Sequence, residues 1–418
     1  MNTDRTNYKS IDEICARAEA DIVSALARID AVSFENTKRI LAAFEKNRVS
    51  EACFSPTTGY GYNDSGRDTL DRVFADALGT ESALVRAHFI NGTHAIACAL
   101  FGILRPGDTL LCATGSPYDT LLPVIYGAEG GSLTEYGVKV TALDFLSDGR
   151  YDEQKYLQSL AGEVSRLKPR AVLIQRSRGY SLRPPLSVRQ INSIVKTVKS
   201  VSGETITVVD NCYGEFVETS EPATDLLCGS LIKNPGGGLA PTGGYIAGSP
   251  ALVELAACRL GVPGIGGEAG SYAAGYRLFY QGLFLAPHTV AQALKTAVFA
   301  ARALELAGFE TSPLYSEERH DIIQTVTFRA PRPMLAFIRG IQAGSPVDSY
   351  VTPEPWNMPG YEDKVVMAAG AFVSGSSIEL SADAPMREPY TAYLQGGLTY
   401  ESGRLGILRS LSEILGKR

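Results

Sequence analysis

The sequence predicts an α/β protein with a large, mostly parallel sheet and a smaller α/β domain at its C-terminal end. Three observations carry that expectation. From Ser82 to Asn211, short apolar or β-branched runs alternate with amphipathic helical stretches, the pattern of a parallel sheet covered on both faces. At 418 residues the chain exceeds the ~250–300 that a single core usually serves. Beyond about residue 285 the character shifts to one long helix followed by mixed strand-like and helical segments.

Taken in order, residues 9 to 47 place Ile11, Ile14, Ala18, Ile22, Ala25, Leu26 and Ile29 at helical spacing, then show a second pattern around Ile40, Leu41 and Phe44. A Gly- and Tyr-rich loop, FSPTTGYGYNDSGRDTL, interrupts it. Arg67 then opens a helix, with Asp68 placed to cap it and Gly79 to end it. Strands are expected in ALVRAHF, DTLLCAT, VKVTALDF, RAVLIQRS and TITVVDN. Helices are expected in THAIACALFGIL, TLLPVI, YDEQKYLQSLAGEV and SVRQINSIVKTVKSV. In the last third VAQALKTAVFAARALELAG reads as a helix. TVTFRA and SSIELSAD read as strands separated by the helix MLAFIRGIQAG and the Pro-rich loop VTPEPWNMPGYED, and LGILRSLSEILGKR closes the chain as a helix. The chain divides accordingly into an N-terminal helical segment with its loop (1–67), a large domain (68–285) and a small C-terminal domain (286–418). It contains no internal repeat.

A formal charge of −6 and the lack of any Lys/Arg run argue against a nucleic acid or an anionic membrane as partner. The opening MNTDRTNYKSIDEICARAEADI is polar and acidic where a signal peptide is basic and then apolar. No apolar run approaches the ~20 residues of a membrane span, so a cytoplasmic setting is expected. The seven cysteines are scattered and lack CxxC spacing, as in reduced thiols used for packing. His88, His94, His288 and His320 are too dispersed for a metal motif and read as structural.

Chemistry concentrates in residues 205 to 247. The β-branched run Thr205–Val209 stops at Asp210, and the apolar run Asp225–Ile232 stops at Lys233, so an acid and a base stand where two strands give way to loops. Gly236, Gly237, Gly238, Gly243 and Gly244 follow, allowing close approach of backbone to a ligand. An amine that holds an aldehyde as a Schiff base, beside a carboxylate that keeps a pyridine nitrogen protonated, is what pyridoxal phosphate chemistry requires. Gly92-Thr93, at a strand-to-helix junction, reads either as a helix cap or as a phosphate cradle. Ser230 offers a second hydroxyl, and Tyr118 is either a ring for stacking on the cofactor or an ordinary half-buried tyrosine. Arg387 suits a substrate carboxylate, with Arg404 as the runner-up. Arg176 and Arg178 follow a strand end, to reach either the site or solvent. A nucleotide-binding reading is weak, because GGGLAPTGG lacks the P-loop order.

Through YGYNDSGRDTL, NGTHAIACALFGILRPGD, GSPYDTL, VVDNCYGEFVE, GSLIKNPGGGLAPTGGYIAG and IELSADAPMREPYTAYLQGGLTYE, the chain resembles the methionine γ-lyase-like family of fold-type-I pyridoxal phosphate enzymes, often labelled aluminium resistance proteins. The resemblance implies the fold-type-I transferase architecture, a cofactor-bearing Lys233, Asp210 at the pyridine nitrogen, stacking by Tyr118, and phosphate contacts from Gly92, Thr93 and Ser230. It also implies a homodimer or homotetramer in which Tyr60, Tyr62 or Arg67 completes the phosphate site of the neighbouring subunit. The activity implied is elimination of a γ- (or β-) substituent from an amino acid, with a thiolate or another group such as a halide leaving. Replacement, aldol cleavage, transamination and a non-catalytic metal-tolerance role use the same apparatus. Departures from the family pattern, at Asn91, Ala128-Glu129, Ala384 and Glu388, lie away from Lys233 and Asp210 and bear on the substrate.

Overall fold

The 36-residue helix α1 (Ile11–Lys46) is a single element, capped by Ser10, and the two sequence patterns are one apolar stripe. The structure, a computed structural model, describes residues 10–128, 130–146, 151–358 and 361–416. A short 3₁₀ turn precedes α2 (Ser65–Leu78). The chain then runs β1 (Ser82–Arg86), α3 (Gly92–Ile103), β2 (Thr109–Cys112), α4 (Leu122–Tyr126), β3 (Lys139–Ala142), α5 (Glu153–Leu167), β4 (Ala171–Gln175), α6 (Val188–Val201), β5 (Ile206–Asp210), β6 (Leu226–Ser230), β7 (Gly244–Gly248) and α7 (Pro250–Leu260). Helix α8 (Arg277–Leu306) leads to β8 (Glu310–Ser312), β9 (Gln324–Thr327), α9 (Pro331–Gly344), β10 (Val365–Ala368), β11 (Ser381–Pro385), β12 (Thr391–Gln395) and α10 (Tyr400–Leu415).

The large sheet has the order β1-β7-β6-β5-β4-β2-β3, with β7 antiparallel to both neighbours and the remaining pairs parallel. Strands β4, β5, β6 and β7 are buried along their whole length, as expected of strands covered on both faces. A second sheet, antiparallel throughout and ordered β10-β11-β12-β9-β8, forms the C-terminal part, with α9 and α10 packed together. Among the described residues no helix is long and apolar enough to cross a membrane.

Four local expectations are corrected. The cap of α2 is Asp64, whose carboxylate accepts from the Arg67 N–H, and the helix begins at Ser65, ahead of Arg67; Asp68 lies inside its first turn. Gly79 does end the helix, at φ +71°. The strand expected in SSIELSAD is displaced to Ser381–Pro385, because Ser377–Leu380 form bends. Gly244 opens β7 where a continuous glycine loop was expected: a Cβ there would stand 3.0 Å from the Gly229 carbonyl and 3.1 Å from Phe89, so the small residue serves packing. Strands β8, β10 and β12 and helix α7 have no counterpart in the sequence reading; β8 and β10 are too short to show alternation.

Helix α8 runs unbroken through residue 285, with Pro287 inside it, and α1 packs along it. It also seats the turn that follows Lys233. Gly237, at φ +56°, approaches so closely that a Cβ would meet the Gly282 carbonyl at 2.3 Å, and a Cβ on Gly282 would meet the Gly236 carbonyl at 2.3 Å. Gly282→Ala therefore lifts the turn off the helix. It is expected to cost about 1–3 kcal/mol of stability and to weaken cofactor retention, read by thermal melts and by dialysis against cofactor-free buffer. Unchanged values in both would show that the contact is slack.

Candidate active site

The parallel strands converge on one edge, where their carboxyl ends and β11 of the small sheet line a cavity of about 890 Å³. Among its walls are Asn91, Gly92, Thr93, Tyr118, Asp119, Arg178, Tyr180, Arg183, Asp210, Cys212, Tyr213, Ser230, Lys233, Tyr361, Asp383 and Arg387. The seven residues that the sequence singles out for cofactor and substrate within one subunit thus meet in one place: Gly92, Thr93, Tyr118, Asp210, Ser230, Lys233 and Arg387.

Asp210 is the last residue of β5 and pairs in register with Cys228 of β6; Lys233 lies three residues beyond the end of β6. The Lys233 Nζ sits 4.0 Å from the centre of the Tyr213 ring, an attractive cation–π distance. Burial works against its charge, but Cys212, Tyr213, Asp210 and Tyr118 around it prevail, and its pKa lies well above the ordinary amine value. Burial pushes the Asp210 carboxyl up, against the charge of Lys233 and hydrogen bonds from Cys212, whose backbone N–H donates to Oδ1 at 3.1 Å. Tyr213 holds φ +72°, a strained conformation for a tyrosine that turns its ring under the amine.

The phosphate cradle begins with Asn91, which caps α3 by accepting from the His94 N–H at 2.8 Å. Asparagine is a good cap, so this departure from the family pattern keeps the helix terminus intact. The first-turn N–H groups of Gly92 and Thr93 have no partner within the helix. A Cβ on residue 92 would lie 3.1 Å from both Cys212 Sγ and the Ser230 Cβ, so glycine keeps this corner open. Ser230 Oγ is buried in it without a hydrogen-bond partner. Buried hydroxyls are rarely left so. The corner that Gly92 keeps open, an orphan hydroxyl and first-turn N–H groups without helical partners fit the phosphate of pyridoxal phosphate, and Lys233 with Asp210 fits its aldehyde and ring nitrogen. Tyr118 reaches across to Thr93, with 3.0 Å between hydroxyls. Burial, with Asp210 and Cys212, raises its pKa well above the usual phenol value, so it stays protonated.

Other candidates fall elsewhere. Arg67 is 1% exposed and points inward: its guanidinium donates to the carbonyls of Gly61, Gly270 and Glu268 and to Asp68, so within this chain it organises the tyrosine loop. Tyr60 and Tyr62 project from that loop, 72% and 55% exposed and stacked on each other. Arg176 is fully buried between Glu221, Glu218 and Asn211, a structural role. Arg178 does line the cavity, bonded to Thr325 and to Ser312 of the small domain. Arg404 pairs with Glu19 at 2.7 Å, outside the cavity. His94 accepts from the Ile90 N–H and His288 is exposed on α8; neither lines the cavity. Glu129 lies outside the described residues.

Tyr213, Tyr180, Tyr361, Arg183 and Asp383 line the site and escape the sequence reading. Asp383 was legible in principle: with the strand set at Ser381–Pro385, it is the one acid in an otherwise small-residue strand.

The sequence profile of the methionine gamma-lyase family matches residues 11–415. The chain belongs to that family. The protein YnbB of Bacillus subtilis strain 168 is 46% identical to it, over 99% of this chain and 98% of its own. The crystal structure of a carbon-sulfur lyase involved in aluminum resistance from Clostridium novyi NT superposes with a TM-score of 0.92 at 49% identity, covering 97% of this chain and 96% of that one. At 16% identity the pyridoxal-5'-phosphate dependent protein YhfS of Escherichia coli shares the fold, with a TM-score of 0.59 and coverage of 93% and 97%. The fold of this family member is thus that of the fold-type-I pyridoxal phosphate enzymes.

Beneath the site lies a buried polar network. Tyr245 donates to Glu215 Oε1 at 2.9 Å, and Asn234, next to Lys233, donates to the Glu215 carbonyl at 2.9 Å. Burial above all, with the charge of Glu221, pushes the Glu215 carboxyl up to about 8. The folded chain therefore keeps a proton that the unfolded chain releases, and stability falls as pH rises from about 4.5 to about 8. Glu215→Gln removes that dependence. The variant should gain a few degrees in Tm over the wild type at the top of this window and little at the bottom; a gap independent of pH would show that Glu215 ionises normally.

Proposed function

We propose that the chain is a pyridoxal phosphate-dependent lyase that expels a substituent from the γ-carbon, or the β-carbon, of an amino acid. The observation that carries this reading is the joint presence, in one cavity, of a buried lysine, a strand-end aspartate and an orphan serine hydroxyl beside an open glycine corner. Family membership supports the lyase class.

In this reading Gly92 and Thr93 N–H groups and the Ser230 hydroxyl hold the phosphate, Asp210 faces the ring nitrogen and Tyr118 covers the ring. When bound, pyridoxal phosphate supplies an aldehyde for covalent attachment and a ring that accepts the electron pair left at Cα. Lys233 is the attachment point and, once released, the base that takes the proton from Cα and then from Cβ. Tyr118, kept protonated by its surroundings, gives a proton to the departing atom, a thiolate sulfur or another leaving group such as a halide. Arg387 lines the cavity while paired with Asp363 at 3.1 Å in a half-exposed ion pair. Such pairs are worth little, so the guanidinium is free to exchange Asp363 for the α-carboxylate. Tyr60 and Tyr62, exposed on their loop, are the groups this reading assigns to the cofactor site of a second subunit, which makes the working unit a homodimer or a pair of dimers, in the cytoplasm.

Lys233→Ala is expected to abolish the visible absorbance that the lysine-bound cofactor gives and all turnover; a variant that keeps the wild-type spectrum would remove Lys233 from the role. Arg387→Ala should raise KM for any amino acid substrate by roughly tenfold or more, with little change in the spectrum of the resting enzyme. An unchanged KM would place the carboxylate elsewhere.

A further inference from the structure

We propose that Asp383 makes the cavity select amino acids whose leaving group ends in a hydrogen-bond donor or a positive charge and reject those whose leaving group is an anion. This deepens the lyase reading and rests on it.

Asp383 stands in the middle of β11, opposite Tyr393 of β12 on one side and Met367 of β10 on the other, and presents its carboxyl to the cavity. Its partners are neutral. Gln395 donates to Oδ2 at 2.8 Å, and the Tyr180 hydroxyl supplies a second hydrogen bond. Among the described residues Asp383 forms no ion pair. Burial raises its carboxyl to about 6, against those hydrogen bonds and the charge of Lys233, so at neutral pH it is mostly ionised. A carboxylate withdrawn from water without a cationic partner is costly to keep, and a bound ligand with a complementary group removes that cost.

The other charges on the walls sharpen the preference. Asp119 is a second carboxyl lining the cavity, and Glu362 and Asp363 add negative charge near it. The other arginines on the walls are turned to neutral partners of the protein: Arg183 donates to the carbonyls of Pro184, Gln175 and Ser177, and Arg178 donates through Nη1 alone to Ser312 and Thr325 at 3.3–3.4 Å. Arg387 is assigned to the α-carboxylate, and none of them pairs with Asp383. Lys233 is bonded to the cofactor in the resting enzyme and, once released, is occupied as the base at Cα and Cβ. Around Asp383 the Tyr180 ring lies 5.6 Å from Tyr361 and 5.0 Å from Tyr393, faces that attract a cation and offer nothing to an anion. An anionic end placed against Asp383 meets repulsion from its carboxylate, and a cationic one meets attraction.

The test uses the holoenzyme and three thioethers of L-homocysteine that share a leaving-group length and end in an ammonium (2-aminoethyl), a methyl (propyl) or a carboxylate (carboxymethyl). Dissociation constants come from calorimetry and kcat/KM from product release, for wild type and Asp383→Asn. The wild type should bind the ammonium compound at least about tenfold more tightly than the propyl compound, and the carboxylate more weakly still by a similar factor. Asp383→Asn, which keeps an acceptor for Tyr180, should draw the three constants together. Equal binding of the three by wild type overturns the proposal, whether or not the variant folds, and so does a variant that folds and keeps the wild-type order. Lack of turnover with the charge order intact would overturn the lyase reading and leave the subsite standing; turnover without the order does the reverse.

Discussion

Everything in this structure depends on holding an amine and a carboxyl inside the protein at the ends of two adjacent strands. Strands β5 and β6 are hydrogen-bonded in register, so the reach from Asp210 to the loop bearing Lys233 is set by backbone geometry. Neither group would remain charged there unaided, since burial opposes both. The surrounding apparatus makes the arrangement tolerable: Cys212 donates to Asp210, and the Tyr213 ring lies against the amine in a backbone conformation that tyrosine seldom adopts. The Gly236–Gly282 contact then fixes the turn that carries Lys233 onto the longest helix of the C-terminal half.

The burden extends one layer deeper. Behind the lysine turn, Glu215, Tyr245, Asn234, Asn211, Arg176 and Glu221 form a connected set of buried polar groups with Arg176 and Glu221 as its ion pair. Such networks rigidify when satisfied and are costly when broken. Here it joins the segment after β5 to the segment after β6. Stability is spent so that two loops stay in a fixed relation, and the glycines of those loops leave the cofactor corner open.

The catalytic face of the fold was legible in the sequence because its signals are local. An acid and a base ending two apolar runs, a Gly-Thr at a helix start and a tyrosine after the next strand can each be read within ten residues or so, and all of them meet in the cavity. Of the substrate face Arg387 was legible and the rest was not: Asp383 comes from the antiparallel small sheet, whose strands of three to five residues give little periodicity, and Tyr180, Arg183 and Tyr213 stand in turns and bends after β4 and β5. The expected strand ended on Asp383, whereas the observed strand sets it in the middle, on the cavity wall. Arg67 shows a related limit: an arginine in a polar loop looks free in the sequence, and here the loop closes on it and its carbonyls accept from the guanidinium. Residue type announces capacity for chemistry, and burial decides whether that capacity is spent on the fold.

The central claim is that Lys233, facing Asp210, bears the cofactor. The most direct measurement is borohydride reduction of the yellow holoenzyme followed by proteolysis and mass spectrometry of the labelled peptide. The account predicts a single reduced pyridoxyl adduct on Lys233, within GSLIKNPGGG. An adduct on another lysine, or none despite bound cofactor, would contradict it.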